Sequence, residues 1–222
     1  MGDRTGATGR ARSDDDQGAA PGGLPSALPI VVGISGSSGA LLGRRAVEVL
    51  GALARPVHLT YTPACRQVWP EEVGHPLDDD LALWRERYGV RICEPDDFRA
   101  PMSSGSFPTA GMIVIPCSMR TVSAIAYGTS SNLLERAADV TIKEGRRLVV
   151  VPREAPLSAI HLENLLRLAR LGVRVVPPIP QFYTRPQSAD EIIDRIARRA
   201  VAQLDIPEAL PHSARWHGPT AP

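Results

Sequence analysis

The sequence predicts an α/β protein, a parallel sheet with helices on both faces, folded as a single domain. Three observations carry that reading. From Pro29 onward, short β-branched runs alternate with longer segments of helical period, and no internal repeat interrupts them. The run MIVIP (112–116) is apolar throughout, as a strand buried on both faces requires. At 222 residues the chain is long enough for one domain with a proper core.

The elements follow in order. IVVGI (30–34) reads as the first strand, ALLGRRAVEVLGALA (40–54) as a helix and VHLTYT (57–62) as the second strand. LDDDLALWRERYG (77–89) is a helix and VRIC (90–93) a short strand. The segment DFRAPMSSGSFPTAG (97–111) is a loop, punctuated by Ser, Gly and Pro, ahead of the buried strand MIVIP. SMRTVSAIAYG and SNLLERAADVTIKEG are two helices broken at Gly128, and RLVVVP (147–152) is a strand. LSAIHLENLLRLARLG (157–172) is a helix ended by Gly172, VRVVP (173–177) a strand, and SADEIIDRIARRAVAQLD (188–205) a last helix capped by Ser188. Ligands in such sheets sit at the carboxyl ends of the strands. The informative turns are therefore 33–39, 62–72, 116–121, 152–156 and 177–187.

Composition excludes several classes. With a formal net charge of +1 there is no basic field to attract nucleic acid or an anionic membrane surface, so any anion must be bound locally. The three cysteines, Cys65, Cys93 and Cys117, are widely spaced with no C-x-x-C pair, which argues against a disulfide framework or a zinc site and for a reducing cytoplasm. No apolar stretch reaches membrane-spanning length, and the N-terminus lacks a secretory pattern. Residues 1–28 have almost nothing large to bury and read as a disordered tail, with the folded domain over 29–206 and a C-terminal extension over 207–222.

GISGSSGALLG (33–43) is the first turn that asks for more than a plain strand-to-helix junction. It fails the phosphate-loop pattern, because Ala40 follows Gly39 where a lysine is needed. It matches the dinucleotide fingerprint only loosely, through Gly33, Gly36 and Gly39, and the second strand ends without an acid for a ribose hydroxyl. What remains is a helix N-terminus furnished with amides and two hydroxyls, where the dipole favours an anion. The alternative is that Ser38 caps the helix and the glycines permit the bend.

Four stretches read together go further: GISGSSGALLG, SSGSFPTAGM, PCSMRTVSAIAYGTSSNLLERAADVTIKEGRRLVVVPRE, and APLSAIHLENLLRLARLGVRVVPPIPQFYTRPQS. They closely resemble the UbiX/Pad1-type flavin prenyltransferase family over roughly residues 29–206. The resemblance implies a three-layer Rossmann-like, flavodoxin-type fold, trimers combined into a dodecamer, and a site between subunits. It implies a metal-independent reaction that joins a dimethylallyl group from dimethylallyl phosphate to N5 and C6 of reduced FMN. The prenylated FMN would pass to a UbiD-type decarboxylase.

Carried over by position, the FMN-binding residues implied are Gly36, Ser37, Ser38, Thr62, Ser118, Met119, Arg120, Thr121 and Arg153. Ser38, Glu154 and Glu72 are implied for catalysis, and Arg136, Lys143, Tyr183 and Arg199 for the donor phosphate. Phe98 and Trp216 fall where the family has aromatic walls for the allyl and flavin groups, and Ser104 and Ser106 on its polar floor. These residue types suit the chemistry. Without a metal, protein cations must stabilise the departing phosphate, and one preorganised donor is worth roughly 3 kcal/mol in a transition state. A carboxylate such as Glu154 is suited to take the C6 proton.

Other readings stand beside these. Arg136 is also a plain helix arginine beside Glu135, Lys143 an exposed helix terminus, and Tyr183, Phe98 and Trp216 packing aromatics. His161 is a lone helix histidine with no nucleophile elbow to serve, and Cys117 a small buried hydrophobe. Gly145, Gln181, Thr184 and the turn GSSG depart from the family pattern. Two other functions remain open, an FMN-dependent cysteine decarboxylase of the same fold and a non-catalytic flavin-binding subunit. Against the first, TPACRQVW has no histidine and PCSMR no PxxN turn.

Overall fold

The computed structural model describes residues 27–211. Six parallel strands form one sheet: β1 (Ile30–Ile34), β2 (Val57–Tyr61), β3 (Arg91–Ile92), β4 (Gly111–Cys117), β5 (Leu148–Pro152) and β6 (Arg174–Val175). Their order is β3-β2-β1-β4-β5-β6, the doubly wound Rossmann order. Without the two-residue edge strand β3, the remaining five run in the flavodoxin order, as the family resemblance implies.

Among the described residues seven helices cover the sheet: α1 (Ala40–Ala52), α2 (Cys65–Val73), α3 (Leu77–Tyr88), α4 (Met119–Tyr127), α5 (Leu133–Lys143), α6 (Ala159–Arg170) and α7 (Ala189–Ala202). Strand residues alternate between two cores. Ile30, Val32, Ile34, Ile113 and Ile115 face α1, α2, α3 and α7. Val31, Met112, Val114 and Val150 face α4, α5 and α6. Strict alternation would send Cys117 to the first side, but a register shift between Val114 and Cys117 turns it into the second.

Two sequence expectations are corrected. The stretch 62–72, read as a turn, contains α2, even though Pro70 lies inside that helix. Tertiary burial outweighs the proline: Trp69 is wholly buried edge-on to Trp84 of α3, and Cys65 is buried beside it. The expected strand 173–177 pairs only at Arg174 and Val175, and the prolines that follow carry no amide for a longer ladder.

The chain reverses direction across the sheet between β1 and β4, which pair in parallel from Ile30 with Gly111 to Gly33 with Val114. A doubly wound sheet opens its ligand crevice at that switch point.

Candidate functional site

Ser35 stitches the two strands at the switch point. Its amide and its hydroxyl donate to the Pro116 carbonyl, at 3.2 and 2.9 Å, and its hydroxyl accepts from the Ser118 amide at 2.7 Å. From that fixed point the turn runs outward. The Gly36 amide donates to the Thr62 hydroxyl at 2.9 Å, which ties the turn to the end of β2. The Ser37 hydroxyl is buried without a hydrogen-bond partner.

Ser38 does not cap α1. Gly39 takes the cap position in the left-handed conformation, φ 109°, that glycine tolerates best. The Glu72 carboxylate supplies the cap instead, one oxygen accepting from the amides of Gly39 at 2.8 Å and Ala40 at 2.7 Å. This changes what the turn is able to bind. With a carboxylate already on the positive end of α1, the dipole is answered, and the turn suits an uncharged ring edge better than a phosphate.

Ser118 begins α4 and accepts from the Thr121 amide at 3.2 Å, with the two hydroxyls 3.0 Å apart. Met119 and Thr121 are buried beneath this turn, while Arg120 is exposed. At the end of β5 the Arg153 amide donates to the Cys117 carbonyl at 3.1 Å. Glu154 beside it is exposed, its carboxylate accepting from the Ala155 amide at 3.0 Å. Ser38, Glu72 and Arg153 line one open cavity of about 450 Å³ with an apolar wall that includes Pro178, Pro180 and Ile193. Structure thus brings a hydroxyl, a carboxylate and a guanidinium together at the strand ends. A larger cavity, about 550 Å³, lies in the groove between α1 and α7. Within it Arg45 and Arg198 both pair with Asp194.

The four residues expected at the donor phosphate do not meet within one chain. Arg136 and Lys143 lie on α5, which packs on one face of the sheet, and Arg199 lies on α7 on the other. Arg136 pairs with Asp139 at 2.8 Å and donates to the Ser103 carbonyl at 3.1 Å, while Glu135 bonds the Ser131 amide instead. Lys143 pairs with Glu144, whose carboxyl it holds below the usual range. Tyr183 sits in a 3-10 turn (Phe182–Thr184) with 60% of its surface exposed.

The serine floor is pinned to α5 from outside. Arg146, just past the helix, donates to the carbonyls of Gly105 at 2.6 Å and Phe107 at 2.9 Å, and the Ser104 and Ser106 hydroxyls lie 2.9 Å apart. Phe98 is 46% exposed, and Trp216 lies outside the described residues. His161 completes a capping box with Ser158 at the start of α6. Cys117 is wholly buried, and burial pushes its thiol far above the usual range, as befits packing and not attack.

The donor set fits a flavin. The orphaned Ser37 hydroxyl needs a partner that the protein does not provide, and burial without one costs about 1–3 kcal/mol. Sequence reading missed Ser35 and Arg146. Each acts on a carbonyl remote in the chain, and only the neighbour across the sheet or on the adjoining loop reveals the role.

Comparison with known proteins agrees with this geometry. The model of the Flavoprotein family matches residues 23–201. The flavin prenyltransferase UbiX of Halalkalibacterium halodurans is 46% identical over 190 residues, covering 83% of this chain and 91% of the relative. A dodecameric FMN-dependent UbiX-like decarboxylase from Escherichia coli O157:H7 superposes with a TM-score of 0.79 at 41% identity, covering 86% of this chain and all of the other. AnUbiX (PadA1), solved with FMN and dimethylallyl pyrophosphate, gives 0.79 at 37% identity, covering 86% of this chain and 98% of its own. The cysteine decarboxylase TvaF, at 16% identity and a TM-score of 0.55, shares the fold alone. With nearly its whole described length matched, the chain belongs to the flavoprotein family, among the UbiX-type flavin prenyltransferases.

Proposed function

We propose that this protein transfers a dimethylallyl group from dimethylallyl phosphate to N5 and C6 of reduced FMN, and that a UbiD-type decarboxylase receives the prenylated FMN. The observation that carries the reading is the convergence of Ser38, Glu72 and Arg153 on one cavity at the β1/β4 switch point, above a buried serine hydroxyl that lacks a partner. Bound there, reduced FMN supplies the nucleophilic ring positions. The chain's own residues do the rest.

The Gly36–Ser38 turn, held by Thr62 and Ser35, presents its polar atoms to one edge of the ring, while Arg153 sets a fixed positive charge beside it. Arg136 and Lys143 from one copy, with Tyr183 and Arg199 from another, form the cationic end where phosphate departs as the allylic carbon–oxygen bond breaks. N5 would lose its proton as it takes the allylic carbon, a proton added to the alkene would make its far carbon the electrophile for C6, and Glu154 would take the proton released from C6. The division of the cationic residues between the two faces of the sheet supports a site completed between copies, in trimers assembled as a dodecamer. Three buried thiols without a disulfide support a cytoplasmic location, and no helix among the described residues is long and apolar enough to cross a membrane.

Anaerobic incubation with reduced FMN and dimethylallyl phosphate, followed by mass analysis of the released flavin, tests the proposal. The expected result is a flavin heavier by one prenyl group. An unshifted flavin that also leaves a UbiD-type decarboxylase inactive overturns it. Glu154→Gln is expected to retain FMN and to alkylate it about 10²-fold more slowly, the typical loss of a general base; single-turnover rates at saturating FMN check this.

A further inference from the structure

Asp80 of α3 is a carboxylate with only 1% of its surface exposed, yet it lies on none of the turns at the strand ends. Three groups from three different segments meet it. The Trp69 indole of α2 donates at 3.0 Å, His75 in the α2–α3 turn lies at 3.0 Å from the same oxygen, and Arg44 of α1 approaches the other oxygen at 3.3 Å. The Arg44 contact is an ion pair without hydrogen-bond alignment, since its buried Nε–H has no well-directed acceptor. A lone buried carboxylate would be expelled or neutralised, so this one persists through the partners that surround it.

Those partners close a ring around the start of α1. Trp69 lies one turn before Glu72 on α2, and Glu72 holds the amides of Gly39 and Ala40. Arg44 lies one turn beyond Ala40 on α1. From Ala40 the path therefore runs through Glu72, Trp69, Asp80 and Arg44 back to the same helix. We infer that Asp80 is a positioning residue for the flavin-facing turn: by fixing α2 and α3 against the first turns of α1, it sets the Glu72 carboxylate on the α1 amides and so the outlook of Ser37 and Ser38.

The ring accounts for the place of Glu72 on the α1 amides although its helix carries Pro70. Gly74 closes the end of α2 locally, its amide donating to the Pro70 carbonyl at 3.0 Å, while Asp80 through Trp69 ties the helix to α3 and, through Arg44, to α1. The functional half of this inference rests on the prenyltransferase reading, whereas the geometric half does not.

The test compares wild type, Asp80→Asn, Glu72→Gln and the double variant, with Arg44→Met as a second way of opening the ring should Asp80→Asn fold poorly. Hydrogen exchange of the segment containing Gly39 and Ala40 is read first, at a temperature where every variant is folded. Asp80→Asn or Arg44→Met is expected to speed exchange there about 10-fold while leaving exchange in β4 and β5 unchanged. Alkylation at saturating FMN is read second. Asp80→Asn is expected to slow it about 10-fold, and much less in the Glu72→Gln background, because residues acting through one contact are not additive.

Unchanged exchange at Gly39 and Ala40 overturns the inference, as does a loss of rate that adds in full to that of Glu72→Gln. If wild type fails to alkylate FMN at all, the prenyltransferase reading falls, and the exchange arm alone decides whether Asp80 holds the turn.

Discussion

Gly36 shows how narrowly a single position is set. A Cβ there would lie 2.4 Å from both the carbonyl carbon and the Cβ of Ala64, where backbone has no room to yield. Gly36→Ala must therefore displace either the turn or the start of α2, an overpacking cost of about 1–3 kcal/mol. The Gly36 amide would lose its 2.9 Å bond to Thr62 in the same movement. The expected outcome is a lowered Tm together with FMN binding weaker by about tenfold or more, since each 1.4 kcal/mol is a factor of ten; thermal melts and a flavin titration check both. The glycine was evident in the quoted turn, but Ala64 as its obstacle was not, because 28 residues separate them in the chain. Glu72 teaches the same lesson. The family resemblance makes it a candidate for the site, whereas its grip on the α1 amides depends on α2, a helix in a stretch whose proline predicts a turn.

Among the elements, the end of β2 is secured by a side-chain network. The buried Tyr61 ring carries a hydroxyl that lies 2.6 Å from Glu94 and 2.5 Å from Arg66, which pairs in turn with Asp78. Burial first, and Glu94 second, push the phenol up to about 12 from its ordinary 10. A group whose pKa is raised on folding contributes stability below its unfolded value and loses that contribution as pH rises through its folded value. The Tyr61 contribution should thus be full below about pH 10 and fade toward 12, while Tyr61→Phe should flatten that part of the curve. Urea titrations across that range check it, with Cys65 retained in both proteins, because burial gives its thiol a shift of the same sign. Helices and strands with their own periodicity were legible at this scale, as was the cap at Ser188, which lies at a strong local signal. The α2 helix was not, since a proline and a weak apolar stripe say turn, and only Trp69 packed against Trp84 says otherwise.

At the scale of the whole molecule, the separation of α5 from α7 across the sheet governs what one chain is able to do. If the phosphate end of the site is shared between copies, Arg136→Ala and Arg199→Ala should each be nearly inactive alone. Unfolded together and refolded as a mixture, they should regain about a quarter of the wild-type rate, because one site in four then draws both arginines from unmutated positions. Activity no greater than the sum of the separate variants would show that both residues serve the same chain. The sequence by itself determined the alternation of strand and helix, the single domain, the turns at the strand ends and the family to which the chain belongs. Each of these is written in residues close together along the chain, in periodicity, caps and short motifs. Tertiary structure alone decided that Glu72 and not Ser38 caps α1, that Ser35 joins β1 to β4, that Asp80 closes a ring behind the turn, and that α5 with Arg136 and Lys143 stands on the opposite face from α7 with Arg199. The first three share one physical reason: a buried polar atom must find its partner in space, and folding chooses that partner from segments which the sequence keeps far apart; the fourth follows from helices that bury their apolar stripes on either side of the sheet.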